Sequence, residues 1–126
     1  MGLFDDFRIG PEAMAHFLLA YEAQMAGDLA TAISEYQRSI DLEPTAEAHT
    51  FLGWAYSFQG RLPDAIAECR KAIALDPAFG NAWNDIGAYY LEMGQPVEAV
   101  PWLKKACQAK RYANREYPWC NLGRAY

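Results

Sequence analysis

Basic side chains are scarce in this sequence. Eleven Lys and Arg stand against sixteen Asp and Glu, giving a net charge of −5 and a pI near 4.9. That balance argues against nucleic acid or an anionic membrane surface as the main partner. Cysteine is also sparse: Cys69, Cys107 and Cys120 are odd in number and no pair has metal-ligand spacing. A disulfide framework and a zinc site are both excluded on that count, and a reducing, cytoplasmic setting is expected. No apolar run approaches the roughly 18 residues of a membrane span, so no direct membrane insertion is expected. The start, Met1-Gly2-Leu3-Phe4-Asp5-Asp6-Phe7, lacks the basic residues and long apolar core of a signal peptide. Asp6 stands where a myristoylation signal would need Ser or Thr. His16 and His49 are the only histidines, and no Ser/His/Asp, Cys/His or paired-carboxylate spacing accompanies them. The glycines are scattered and form no phosphate-binding loop. Catalysis, a metal and a cofactor are therefore not expected.

What the chain does have is apolar and aromatic mass. Hydrophobic residues make up 52% and aromatics 14% of 126 residues, enough for one domain with a sizeable core. Its charge is polarised. Residues 1–50 carry nine acidic and two basic side chains, a balance of −7; residues 51–103 carry six and three, −3; residues 104–126 carry one and six, +5. A solvated basic end is the plain reading of that gradient, and complementarity between opposite ends of two copies is the sharper one.

The sequence repeats. Residues His49-x2-Leu52-Gly53-x2-Tyr56 are followed by Ala65-x3-Cys69, Ala72 and Pro77; Trp83-x2-Ile86-Gly87-x2-Tyr90 is followed by Ala99-x3-Leu103. Upstream stand His16-x2-Leu19-Ala20-x2-Ala23, Ala32-x3-Tyr36 and Pro44, and Trp119-x2-Leu122-Gly123-x2-Tyr126 begins a further unit. Gly53 and Gly87 are 34 residues apart, Gly27 and Gly60 are 33, Gly87 and Gly123 are 36. A self-similar period of this length marks a helical repeat array.

In these residues the chain resembles the tetratricopeptide repeat family, whose pattern is W-x2-L-G-x2-Y, then A-x3-F, then P. The resemblance covers Ala13 to Tyr126. It implies an all-α fold, a right-handed superhelix of three antiparallel helix pairs plus a C-terminal single helix, and binding of a protein or peptide rather than catalysis. Residues 1–11 are then an N-terminal extension and residues 12–126 the repeat domain, with repeats at about 13–45, 46–79 and 80–115 and a half repeat at 116–126.

Local signals give the helices. Pro11 and Glu12 suit a first turn, and that helix is expected to run to about Ala26, where Gly27-Asp28 breaks it. The next is expected from Leu29 to Leu42, ended by Pro44 because the residue before proline is pushed out of helical geometry. The same grammar predicts helices over Ala46–Gln59, Leu62–Leu75, Gly80–Met93 and Pro96 to about Ala109, with a last helix restarting near Tyr117. Pro101 lies past the free N–H groups of its helix and is expected to kink it. Gly53 and Gly87, with Ala20 in the first repeat, are small where paired helices approach closely, facing Ala32, Ala65 and Ala99. Cys69 is expected to act as a small buried hydrophobe, and His16 and His49 as packing residues, because Trp83 and Trp119 hold the equivalent places.

In family members that bind peptides, the first helices of successive repeats line a concave groove. The resemblance carries that groove onto an aromatic floor, Phe17, Tyr21, Met25, Phe51, Trp54 and Phe58, and a polar end, Asn81, Asn84, Asp85 and Asn121, with Arg124 beyond. Aromatics and methionine on such a surface suit an apolar or amphipathic segment. Several of these rings could instead pack between neighbouring helices. Members that hold a chaperone's C-terminal carboxylate use Lys, Arg and Asn; the matching residues here, Phe17, Tyr21, Phe51, Asn81 and Asp85, include no cation. A carboxylate clamp is therefore not expected. Leu3, Phe4, Phe7 and Ile9 form an apolar set before Gly10-Pro11. They could pack over the first helix pair, be disordered, or lie in a groove, their own or a neighbour's. The rival to peptide binding is self-assembly: a basic C-terminal end with an unpaired apolar helix meeting the acidic N-terminal end of another copy, a homo-oligomer built head to tail.

Overall fold

Each repeat is a pair of helices closed by the same hydrogen-bonded turn. The computed structural model describes residues 4–111. Its helices are α1 (Pro11–Met25), α2 (Leu29–Leu42), α3 (Ala46–Phe58), α4 (Leu62–Leu75), α5 (Gly80–Glu92) and α6 (Pro96–Gln108). Within each pair the break is a glycine at positive φ: Gly27 at 86°, Gly60 at 75° and Gly94 at 73°. The glycine N–H bonds the carbonyl three residues back and the next N–H bonds the carbonyl five back, as in Gly27 to Gln24 and Asp28 to Ala23. This double bond satisfies the last carbonyls of the first helix, and only glycine adopts the left-handed backbone without steric cost. Between pairs the stop is different. Glu43 and Asp76 are extended residues before Pro44 and Pro77, the conformation that proline imposes on its predecessor.

Helix starts are equally local. Asp28 accepts a hydrogen bond from the Thr31 N–H at 3.2 Å and Thr45 accepts from the Ala48 N–H at 3.1 Å, each satisfying an orphan donor of a first turn. Prolines open α1, α4 and α6. α6 also carries Pro101 in its interior and continues unbroken to Gln108.

α1 packs on α2, α3 on α4 and α5 on α6, while α2 meets α3 and α4 meets α5 across the joints. The pairs approach closely at the small residues. A Cβ placed on Gly53 would lie 2.8 Å from the Ala65 carbonyl oxygen, and one on Gly87 would collide with the Leu103 side chain. Ala20, Ala32, Ala65 and Ala99 are fully buried, as is Cys69. Two cores result. One joins α1, α2 and α3 around Phe17, Tyr36, Phe51 and Leu52; the other joins α4 and α5 around Ile66, Cys69, Phe79 and Ile86. Phe7 packs against both. Among the described residues no helix is long and apolar enough to cross a membrane. The single helix expected near Tyr117 lies outside the described residues.

Candidate functional site: the inner aromatic face

α1, α3 and α5 stand side by side on the inner face of the superhelix, with α3 touching α5 directly and α1 meeting α3 through Phe17 and Phe51, whose ring centres are 5.0 Å apart. One face of α1 and one of α3 therefore contribute a row of rings. Tyr21 stacks on Trp54 at 6.4 Å, and Trp54 meets Phe51 and Phe58 edge to face at 5.6 and 5.2 Å. The row runs without a gap from Phe17 to Phe58.

Its two ends differ in exposure. Phe17 and Phe51 are buried, whereas Met25 and Phe58 are each 50% exposed, with Tyr21 and Trp54 in between. The buried end is covered by the chain's own N-terminal segment. Phe4 lies edge-on to Phe17, Tyr21 and Phe51 at 5.1, 4.9 and 5.6 Å. Phe7 lies edge-on to Phe17, Phe51 and Phe79 at 5.7, 5.7 and 5.8 Å. Edge-to-face geometry sets the positive rim of one ring against the negative face of the next. The segment turns once, with the Phe7 N–H on the Phe4 carbonyl at 3.0 Å, which brings both rings to the same side. It then runs extended, donating the Arg8 N–H to Glu47 Oε2 and the Gly10 N–H to Glu43 Oε1, both at 2.8 Å. Of the placements open to residues 3–9, Phe4, Phe7 and Ile9 thus pack against the core that α1, α2 and α3 share in their own chain.

Beside the rings lies an acidic patch, Glu43, Glu47 and Asp76. Arg111 reaches it from beyond α6. Its guanidinium donates to Asp76 Oδ2 at 2.7 and 3.1 Å and to Glu47 Oε2 at 3.2 Å, and lies 4.9 Å above the Phe79 ring. The backbone is tied as well: the Arg111 N–H bonds the Ala78 carbonyl at 2.9 Å and the Gly80 N–H bonds the Arg111 carbonyl at 2.6 Å. Partial burial pushes the Asp76 carboxyl up, but hydrogen bonds from Arg111 and the Ala78 N–H, with the charges of Arg111 and Arg8, more than offset it and hold it below the ordinary value.

The polar end has another character. Asn81, Asn84 and Asp85 are buried in the folded chain, whereas Tyr21, Met25, Trp54 and Phe58 reach the surface. Asn121 and Arg124 lie outside the described residues. Sequence reasoning did not find Phe79, which sits at a joint between repeats rather than in a first helix, nor Glu43 as an acceptor for the N-terminal segment. The histidines also do more than pack. His16 Nδ1 is 2.6 Å from Glu35 Oε1 and His49 Nδ1 is 2.8 Å from Glu68 Oε1, each bond joining the two helices of a repeat. Trp83 meets Trp102 at the matching place, ring centres 5.5 Å apart.

Comparison with known proteins agrees with this geometry. A tetratricopeptide repeat family model matches residues 17–78 and again residues 52–114. No curated protein matches the sequence. Among solved structures the chain is similar to MamA, with 34% identity over 76% of this chain and 57% of that one, TM-score 0.71; it spans little more than half of MamA's length. It is similar to the TPR2B domain of yeast Sti1 in a pHsp70 complex, with 25% identity over 79% of this chain and 80% of that one, TM-score 0.74. The Sgt2 TPR domain from Aspergillus fumigatus shares the fold, with 19% identity over 93% of this chain and 78% of that one, TM-score 0.84. With two overlapping matches spanning residues 17–114 and, among the described residues, six helices paired at one period, the chain belongs to the tetratricopeptide repeat family.

Proposed function

We propose that this protein is an interaction scaffold whose inner groove binds an apolar or amphipathic peptide segment. The observation that carries the reading is the continuous aromatic row on the inner face, open at Met25 and Phe58 and occupied at its other end by an apolar segment. Large rings in a concave, partly desolvated surface are the usual anchors of peptide recognition. The similarity to an Sti1 domain that takes part in a pHsp70 complex supports peptide binding as the class of function. A carboxylate clamp is not proposed: Phe17, Tyr21 and Phe51 supply no positive charge, and Asp85 would repel a carboxylate. The partner is a protein, in a cytoplasmic setting, with no nucleic acid, metal or cofactor required.

Head-to-tail assembly through acidic and basic ends is the weaker reading. Arg111, one of the basic residues that would steer it, is already paired with Glu47 and Asp76 of its own chain.

The test is fluorescence anisotropy with labelled 15-residue peptides, a set of amphipathic sequences against a set of polar ones. Amphipathic peptides are expected to saturate the protein, and Trp54→Ala or Phe58→Ala to weaken them by about tenfold, a typical cost of truncating an anchor. Binding by both folded variants as tight as by the wild type would sink the groove reading.

A further inference from the structure

The segment seated in the groove specifies what the groove is built to hold. We propose that Phe4 to Arg8 is a resident surrogate ligand. The partner is then a segment with two aromatic side chains three residues apart and a basic residue after the second, and it binds by displacing the chain's own. This rests on the groove reading above and narrows it.

Three features of the contact carry the inference. First, the two rings do the recognising. Phe4 and Phe7 together touch Phe17, Tyr21, Phe51 and Phe79, while Asp5 and Asp6 between them are exposed. The groove thus reads positions i and i+3 of a single turn. Second, the segment makes no regular secondary structure with the repeats; its main-chain ties to them are the N–H groups of Arg8 and Gly10 on carboxylates. Any chain in the same conformation supplies those donors, since they are backbone groups, so these two bonds do not depend on the particular sequence. Third, the acidic patch favours a cation after the second ring. Glu43, Glu47 and Asp76 carry three charges and Arg111 offsets one, leaving the patch negative. The Arg8 guanidinium stands 3.9 Å from Asp76, and is 71% exposed, so it contributes attraction without being locked in place.

The segment Phe4–Arg8 is short and joined to α1 through Gly10. Its tether gives it an effective concentration on the order of millimolar, so a free peptide must compete against it. The apparent affinity of a peptide falls by the fraction of molecules whose groove is open.

The experiment uses a labelled peptide with the sequence of residues 2–10 and, as controls, the same peptide with both phenylalanines replaced by serine or with its arginine replaced by glutamate. Anisotropy titrations are run on the full chain and on the Phe4→Ser/Phe7→Ser variant, whose helix content and cooperative melting are checked by circular dichroism. Binding to the double variant is expected to be at least about tenfold tighter than to the wild type, the diserine peptide is expected not to bind, and the glutamate peptide to bind several-fold more weakly. Should the double variant not fold, Arg8→Glu carries the test. It keeps both rings and the backbone donors, sets a like charge against Asp76, and is expected to open the groove in part, raising peptide affinity about threefold. Equal affinity for wild type and variant, or binding that ignores the two phenylalanines, overturns the proposal. If an unrelated amphipathic peptide binds both proteins equally while the residue 2–10 peptide binds neither, the surrogate idea falls and the groove reading stands. If no peptide binds either folded protein, both fall.

Discussion

His49 Nδ1 lies 2.8 Å from Glu68 Oε1, nineteen residues further on, and His16 and Glu35 repeat the contact one unit earlier at the same separation. A carboxylate only accepts, so each ring carries its proton on Nδ1 and donates across the helix pair. Glu68 is buried and also accepts from Lys71 at 3.0 Å. Replacing His49 with Leu keeps the bulk and leaves a buried carboxylate one donor short, which costs about 1–3 kcal/mol. His16→Leu is expected to cost less, because the His16 and Glu35 side chains are more open to water than those of His49 and Glu68. Thermal melts of the two variants check the ranking.

The same carboxylate sets part of the acid limb of stability. Burial pushes Glu68 up, but the hydrogen bonds from His49 and Lys71 and their charges bring it below the ordinary value. Its folded pKa is therefore lower than its unfolded one. Stability from the group is fully present above the unfolded pKa, about 4.3, and is lost as pH falls through the depressed folded value. Asp76, lowered by Arg111, acts in the same direction. The wild type is expected to lose melting temperature steeply below roughly pH 4.5, and Glu68→Gln or Asp76→Asn to show a shallower slope over that window. Parallel slopes would mean that other carboxylates dominate.

How far the sequence speaks depends on the range of the interaction. Gly27, Gly60, Gly94, Pro44 and Pro77 act on their immediate neighbours, so all six described helices begin and end within a residue of where these signals put them. The pairing of Gly53 with Ala65 was readable because the repeat supplies three copies of one close approach. The inner face was readable in direction but not in depth. Phe17 and Phe51 lie beneath the N-terminal segment, and Asn81, Asn84 and Asp85 are buried, because a helix face says which way a side chain points and not what covers it. Contacts across 35 and 64 residues, such as Arg111 with Asp76 and Glu47, leave no periodic trace at all. Nor does a segment like Phe4–Arg8, too short to show a period and apolar enough to pack in several places.

Arg111 is expected to matter to stability beyond its position near the end of the described chain. Glu47 is 2% exposed and accepts from both the Arg8 N–H and the Arg111 guanidinium. Removing Arg111 leaves the buried Glu47 carboxylate with the Arg8 N–H but without its paired charge, and breaking such a pair from one side is strongly destabilising, about 3 kcal/mol. Arg111→Ala is expected to lower the melting temperature by several degrees. Arg111→Lys should recover only part, because an ammonium cannot reach Asp76 and Glu47 while lying flat over Phe79. The pair Arg111→Ala and Glu47→Gln together should be milder than the sum of the two, and a double-mutant cycle measures that coupling.

Gly53 offers the sharpest test of the close helix approach. Glycine inside a helix costs roughly 0.5–1 kcal/mol relative to alanine, so Gly53→Ala would stabilise an isolated α3. In the folded repeat the new Cβ would stand 2.8 Å from the Ala65 carbonyl oxygen and 3.4 Å from Cys69 Sγ. The first of these is backbone in the first turn of α4, fixed by its own helix, and moves only if the two helices separate. Overpacking of this kind costs about 1–3 kcal/mol, which exceeds the propensity gain. Gly53→Ala is therefore expected to lower stability and Gly53→Val to lower it further, since a branched side chain needs more room in the same gap. Denaturant melts with an unchanged m-value would locate the loss in the folded packing. A more stable Gly53→Ala protein would show that α3 and α4 have slack where the structure shows contact.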